Sequence, residues 1–243
     1  MSKRKLYYEK QNDTYSLKSG SILNSVAFIN SRIFKECFLI TFLLEEFNLL
    51  EKKDFKKQLD VLEPGCGIGL FSKYIGNFAK NLYSFDISHE GIKRAKIINC
   101  DCKNINHFLG DGIYPEKIEE IKNKKFDLIF FREFHPLSRD FFNDSNKNIS
   151  ILDKYLKFLK KQGIIIIQHA EVKTNKCMRF NDLRKKFKNS LIGIYHPQIL
   201  IISLLIFRYN FKIASKVSSI LSSIIFIFLK KPLKYSVLKI SNN

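Results

Sequence analysis

Two stretches of the chain carry residue types that can do chemistry at spacings where they can act together. The first is Val61-Leu-Glu-Pro-Gly-Cys-Gly-Ile-Gly-Leu70. Three glycines at alternate positions, Gly65, Gly67 and Gly69, let bare main chain pass close to a ligand. A dinucleotide loop needs G-x-G-x-x-G, which from Gly65 and Gly67 requires glycine at 70, where Leu70 stands. No Lys-Ser or Lys-Thr follows at phosphate-loop spacing, so a nucleoside triphosphate is disfavoured as well. Glu63, just ahead of the glycines, would repel a pyrophosphate and suits a ligand that carries positive charge. The second stretch is Phe130-Phe-Arg-Glu-Phe-His-Pro-Leu-Ser138, with Arg132, Glu133 and His135 within four residues. A histidine near its unperturbed pKa can remove a proton from a hydroxyl, which makes His135 the first candidate base. The structural alternative is that His135 packs ahead of Pro136 or hydrogen-bonds a loop. Arg132 can clamp an anionic acceptor or neutralise Glu133. His196 is a weaker candidate, and His89, His107 and His169 read as structural or exposed.

The elements that must position these residues alternate along the chain. Leu59 to Leu62 is a short apolar strand, and a helix is expected from Phe71 to Ala79. Leu82 to Phe85 reads as a second strand ending at Asp86, and Ser88 is a suitable N-cap for a helix His89 to Ile98, with Ile92, Ala95 and Ile98 on one face. Asn106 to Gly110 is a third strand. Phe126 to Phe131 is an apolar run of the kind that fits a strand buried on both faces, Ile149 to Lys161 is an amphipathic helix stopped near Gly163, and Ile164 to Gln168 is a fifth strand. Strands separated by helices imply an α/β fold with a parallel sheet, helices on both faces and right-handed crossovers. Ligands in such sheets bind beyond the C-terminal strand ends. Ahead of this region, apolar positions from Ser21 to about Leu50 recur at three and four, as in amphipathic helices that cover one edge. The expected division is therefore 1–54, a lead-in and helical cover, and 55–243, the catalytic domain.

With the glycines and the acids in this order, the chain resembles the class I S-adenosylmethionine-dependent methyltransferases, whose first motif is E/D-x-G-x-G-x-G. Glu63-Pro-Gly65-Cys-Gly67-Ile-Gly69 matches every fixed position. The resemblance implies that Asp86, followed by Ile87, accepts hydrogen bonds from the ribose hydroxyls of S-adenosylmethionine. It implies also that Asp111, with Gly112, approaches the adenine amino group. A carboxylate accepts only, which suits both donors. The family's fold is a Rossmann-like seven-stranded sheet whose final strand is antiparallel. Tyr195-His196-Pro197 followed by Ile199 to Phe207 is similar to the junction before its last two strands, for which Phe211 to Ser215 and Tyr235 to Ile240 are the candidates. Members that methylate the amino groups of nucleic-acid bases carry Asn/Asp-Pro-Pro-aromatic after the fourth strand; this chain has Arg132, Glu133 and His135 there instead. Methyl transfer needs an in-line approach and, for a hydroxyl acceptor, a base. The expected function is methylation of a small-molecule or sugar- or lipid-linked acceptor, on oxygen, with no metal site. Methylation of RNA or protein, and a donor-binding scaffold without activity, are the alternatives.

Composition bounds the partners. The 243 residues are 45% hydrophobic and carry a net charge of +19, distributed as excesses of +4 in 1–58, +3 in 59–170 and +12 in 171–243. The basic last third suits an anionic substrate, RNA or an anionic membrane surface, and no separate RNA-binding module is visible. Asn189 to Phe207 is uncharged over 19 residues but interrupted by His196-Pro197, and Val217 to Leu229 over 13 is too short for a span. Lys230, Lys231, Lys234 and Lys239 follow the apolar run as they would at a bilayer surface, although a Lys-rich globular surface gives the same pattern. Cys37, Cys66, Cys100, Cys102 and Cys177 lack zinc or redox spacing, and the charged start has no secretory character. A cytoplasmic protein, peripheral to the membrane at most, is expected.

Overall fold

The computed structural model of the chain describes residues 59–137, 144–170, 191–195, 211–228 and 235–241, with a few further positions between 183 and 207. The expected helical cover within 1–54, the His196-Pro197 junction and the side chain of His169 lie outside the described residues. Two compact units divide the chain, Met1–Gly112 and Ile113–Asn243.

In the first unit the order is β1 (Leu59–Pro64), α1 (Leu70–Ile75), β2 (Ala79–Asp86), α2 (His89–Ile98) and β3 (Ile105–Leu109). β2 lies between β1 and β3 and is parallel to both. Val61, Leu62, Leu82 and Phe85 are fully buried, and the Phe85 and Phe108 rings stack at 5.5 Å. α2 has the expected bounds: the Ser88 hydroxyl accepts from the Gly91 amide at 2.9 Å, and Ile92 and Ala95 are buried. α1 is shorter than the expected Phe71 to Ala79. It ends at Ile75 because Gly76 follows, and Ile105 of β3 packs so close that a Cβ on Gly76 would lie 2.8 Å from Ile105 Cδ1. Ala79 then opens β2, three residues earlier than its apolar pattern suggested.

The second unit contains β4 (Phe126–Arg132), α3 (Ser145–Leu156), β5 (Leu159–Ala170), β6 (Leu191–Tyr195), α4 (Phe211–Phe228) and β7 (Tyr235–Ser241). β4 and β5 are parallel, and β7 runs antiparallel to both β5 and β6. The described strands include five in parallel pairings, β1 to β5, as a Rossmann-like fold requires. β4 is the strand buried on both faces: Phe126, Leu128, Ile129, Phe130 and Phe131 have no exposure. Phe131 meets the Tyr155 ring of α3 edge-on at 4.7 Å and the Phe134 ring at 5.1 Å.

Two expectations for this unit are corrected. α3 was expected over Ile149 to Lys161 and instead spans Ser145–Leu156, because Asp144 caps it, its carboxylate accepting from the Lys147 amide at 2.9 Å. Gly163 is not its stop. It lies inside β5 beside a register shift against β4, where a Cβ would come 2.7 Å from the Phe126 carbonyl oxygen. The strand expected over Phe211 to Ser215 is the first turn and a half of the helix α4, and the sixth strand is Leu191–Tyr195. The final strand expected at Tyr235 to Ile240 is present as β7.

Candidate functional site

The glycine loop is pinned to the end of β2. The amides of Gly65 and Cys66 both donate to the Phe85 carbonyl, at 2.7 and 3.1 Å, and the Gly69 amide closes back on Cys66 O at 3.0 Å. Gly65, Gly67 and Gly69 have φ of 78°, 57° and 74°, the left-handed region where a side chain is penalised. Gly69 is also a contact point. Its missing Cβ would fall 2.7 Å from Asn99 Nδ2 and 2.8 Å from Ala95 Cβ, and its carbonyl accepts from Asn99 Nδ2 at 3.0 Å. The third glycine therefore lets the loop rest on the end of α2.

Asp86 joins three loops. Its carboxylate accepts from the Gly67 amide at 2.9 Å and, through the other oxygen, from the Ser88 amide at 2.8 Å. Its main-chain carbonyl accepts from Gly110 at 2.9 Å, which ties down the turn leading into Asp111 and Gly112. The side chain is half-buried, as is Ile87 beside it. Asp111 is half-buried and Gly112 is buried.

Glu63 is different in kind. It is only 2% exposed, and one carboxylate oxygen accepts from the hydroxyls of Ser72 (2.6 Å) and Ser84 (2.8 Å). Register explains the second contact: Ser84 of β2 pairs opposite Glu63 of β1. Glu63 therefore acts on the loop through the field of its charge. Cys66 reads that field: burial first, then the carboxylates of Glu63 and Asp86, push its thiol well above the ordinary value. Burial disfavours a charge of either sign, but the two carboxylates that add to it favour a cation, and on that ground the residues present fit a sulfonium nucleoside.

All the donor-side residues, Glu63, Gly65, Gly67, Gly69, Asp86, Ile87, Asp111 and Gly112, thus stand at the ends of the strands of the first unit. Arg132, Glu133 and His135 belong to the second unit, at the end of β4 and in the turn after it. Each of the three is half-buried, between the buried Phe131, Phe134, Pro136 and Leu137. Glu133 has φ 48°, left-handed in a residue type with no local reason to adopt it. Its amide continues the ladder by donating to Gln168 O at 2.9 Å, and the reversal of hand then ends the strand. Of the remaining histidines, His89 is exposed and His107 is buried.

Sequence reading missed Ser72, Ser84 and Asn99. Ser84 had a signal: a serine at an inward position of an apolar strand, two residues before Asp86, asks for a buried partner. The double amide contact of Asp86 had none, because it depends on three loops meeting.

The sequence profile of the methyltransferase domain family matches residues 55–202. Over 116 residues the chain is 33% identical to malonyl-[acyl-carrier protein] O-methyltransferase 2 of Ilyobacter polytropus, a match covering 47% of this chain and 40% of that relative. The chain therefore spans less than half of that relative's length. Among solved structures, a TehB-like SAM-dependent methyltransferase from Corynebacterium glutamicum superposes with a TM-score of 0.59 at 14% identity, covering 96% of this chain and 99% of the other. The plantazolicin methyltransferase BpumL gives 0.56 at 16% identity, covering 98% and 96%. At these identities both likenesses are of fold. The profile match and the strand-end site together establish that the chain belongs to the methyltransferase domain family, with the Rossmann-like fold of the class I S-adenosylmethionine-dependent methyltransferases.

Proposed function

We propose that this chain transfers a methyl group from S-adenosylmethionine to an oxygen of a small-molecule or sugar- or lipid-linked acceptor, with His135 as the base. The donor, when bound, supplies an electrophilic methyl carbon on a positively charged sulfur. The observation that carries the reading is the loop itself: three left-handed glycines held against Asp86, beside the buried Glu63. The two amides occupy part of the acceptor capacity of Asp86, and a carboxylate has about four lone-pair directions, so ribose hydroxyls can still be accepted. Asp111 and Gly112 are assigned to the adenine edge, and Ile87 to its apolar face. The family's seven-stranded sheet and a helical cover over residues 1–54 belong to the same proposal.

On the acceptor side the support is the strained end of β4. A non-glycine residue held in a sparsely populated conformation is a feature that clusters at functional sites, and Glu133 stands between Arg132 and His135. His135 would take the proton of the acceptor hydroxyl and Arg132 would hold an anionic part of the acceptor; the donor would supply the methyl group, the electron pair of its broken carbon–sulfur bond staying on sulfur as the oxygen–carbon bond forms in line. The relative from Ilyobacter polytropus is named as an O-methyltransferase, which favours oxygen. BpumL was solved with SAH, which favours the same donor here.

The test is transfer of label from radioactive S-adenosylmethionine into fractionated extract, with small molecules, lipids, RNA and protein separated. Label in the small-molecule or lipid fraction is expected; label confined to RNA or protein, or none at all, overturns the reading. His135→Ala should lower turnover about a hundredfold, the low end of general-base effects, and leave the calorimetric dissociation constant of the donor within error. Unchanged turnover removes His135 from the mechanism.

A further inference from the structure

The basic character of the last third has a sharper form than its net charge. Residues 183–243 contain eleven Lys and Arg and neither Asp nor Glu. Within this stretch the described side chains of α4 divide unusually. The buried ones are Ala214, Ser218 and Ser222, at four-residue spacing and without exposure, while Ile213, Ile220, Leu221 and Ile224 are 45%, 59%, 43% and 43% exposed. A surface helix ordinarily turns its large apolar side chains to the protein and its serines to water. Here Ala214, Ser218 and Ser222 are turned inward in a helix that neighbours β6, and Ile213, Ile220, Leu221 and Ile224 are turned outward. Ile202 and Ile206, four residues apart in the preceding segment, are 55% and 66% exposed. Single exposed apolar residues are commonplace, whereas a contiguous stripe with a charged margin marks an interaction surface.

We propose that the outward face of α4 docks on an anionic phospholipid surface. Lys216 is exposed on the same helix, Lys212 lies one turn before it in sequence, and Lys230, Lys231 and Lys234 follow the helix. An apolar helix face with lysines around it buries its side chains at the headgroup boundary while the ammonium groups meet lipid phosphates and carboxylates. The absence of any acidic side chain from 183–243 removes the repulsion such lipids would otherwise meet. The helix lies on the surface and does not cross it, since no helix among the described residues is long and apolar enough to span a membrane. Charge also argues against a second copy of the same face, because a two-fold contact would bring its lysines together. The inference rests on α4 and the basic segments around it and does not depend on the methyl-transfer reading.

Flotation of the full chain with phosphatidylcholine vesicles, with and without phosphatidylserine, tests it. The chain should float with the anionic vesicles, be released by high salt, and bind pure phosphatidylcholine weakly. The double variant Ile220→Asp, Ile224→Asp places its changes at exposed positions, so thermal unfolding should be unaltered, while binding to anionic vesicles should fall by more than about tenfold. Lys216→Glu should weaken binding severalfold and flatten its salt dependence. Failure to float with anionic vesicles overturns the proposal, as does flotation unaffected by the double variant. So does a dimer that the double variant dissociates in a protein that never floats.

Discussion

Removing the Asp86 carboxylate should weaken the folded protein even where no donor is present. A residue that only waits for ribose hydroxyls has no effect on the free protein, but this one already accepts from the Gly67 amide at 2.9 Å and the Ser88 amide at 2.8 Å. A hydrogen bond to a charged group contributes about 1.5–3 kcal/mol, so two together stand for roughly 3–6 kcal/mol. The site is half-buried, water will satisfy part of what the amides lose, and Asp86→Ala is therefore expected to cost about 3 kcal/mol. Asp86→Asn keeps one acceptor oxygen and turns an NH2 toward the other amide, so its cost should be at least half as large. Urea denaturation followed by circular dichroism, without donor, reads this directly, and calorimetry on the same variants reads donor affinity. The expected outcome is loss in both: lower stability, and a dissociation constant raised by more than about tenfold as ribose contacts and loop order go together. If Asp86→Ala retains full stability while losing affinity, the amide contacts are not made in solution and Asp86 is a ligand contact only.

Other perturbations follow from the same geometry. Burial, and then the charge of Lys96, pull the His107 imidazole down to about 4, and neither ring nitrogen has a hydrogen-bond partner. Its native pKa lies below the unfolded value near 6.5, so the unfolded chain takes up a proton that the native state refuses. Stability should fall as pH drops through this window, by about 2 kcal/mol at pH 5. His107→Leu should remove that loss and raise stability at pH 7 by about 1 kcal/mol or more, measured by urea midpoints at both pH values; parallel losses in both proteins would show that His107 is not the cause. Gly69→Ala forces a Cβ into Asn99 and Ala95 at φ 74° and should cost about 2–4 kcal/mol together with donor binding, whereas normal calorimetric affinity would refute the tight contact with α2. Glu133→Val should be about 2 kcal/mol less stable than Glu133→Gly in urea titration, because only the latter accepts φ 48° without penalty; equal stabilities would mean the end of β4 is unstrained.

What could be read from the sequence was what is decided locally or by strong periodicity. Ser88 as N-cap, the bounds of α2, the buried run of β4 and the glycine turn all came through, because each depends on neighbours in the chain. Asp86 was readable as a strand-end acid, and the profile match over 55–202 supports the family it pointed to. Its second role was not readable, since Gly67, Ser88 and Gly110 converge on it only after two parallel strands are in register. Glycine was the least transparent residue. Gly163 was read as a helix stop and lies inside β5, while Gly76 was read through and ends α1; each is where another element comes close, the Phe126 carbonyl in one case and Ile105 in the other.

The segment 211–228 shows why burial must be known before an apolar run can be assigned. Its opening Phe-Lys-Ile-Ala-Ser alternates as a strand would, and nothing in five residues separates that reading from a helix. Over eighteen residues a different pattern emerges: among the described side chains Ala214, Ser218 and Ser222 recur every four and are buried to zero exposure. Small side chains at the inward positions allow close packing, and Ile213, Ile220 and Ile224 are left exposed. A rule that turns every apolar residue inward misplaces these three, and with them the lipid-facing surface proposed for α4. The same reversal makes the sixth strand appear late in the sequence, when Leu191–Tyr195 already supplies it through its antiparallel pairing with β7.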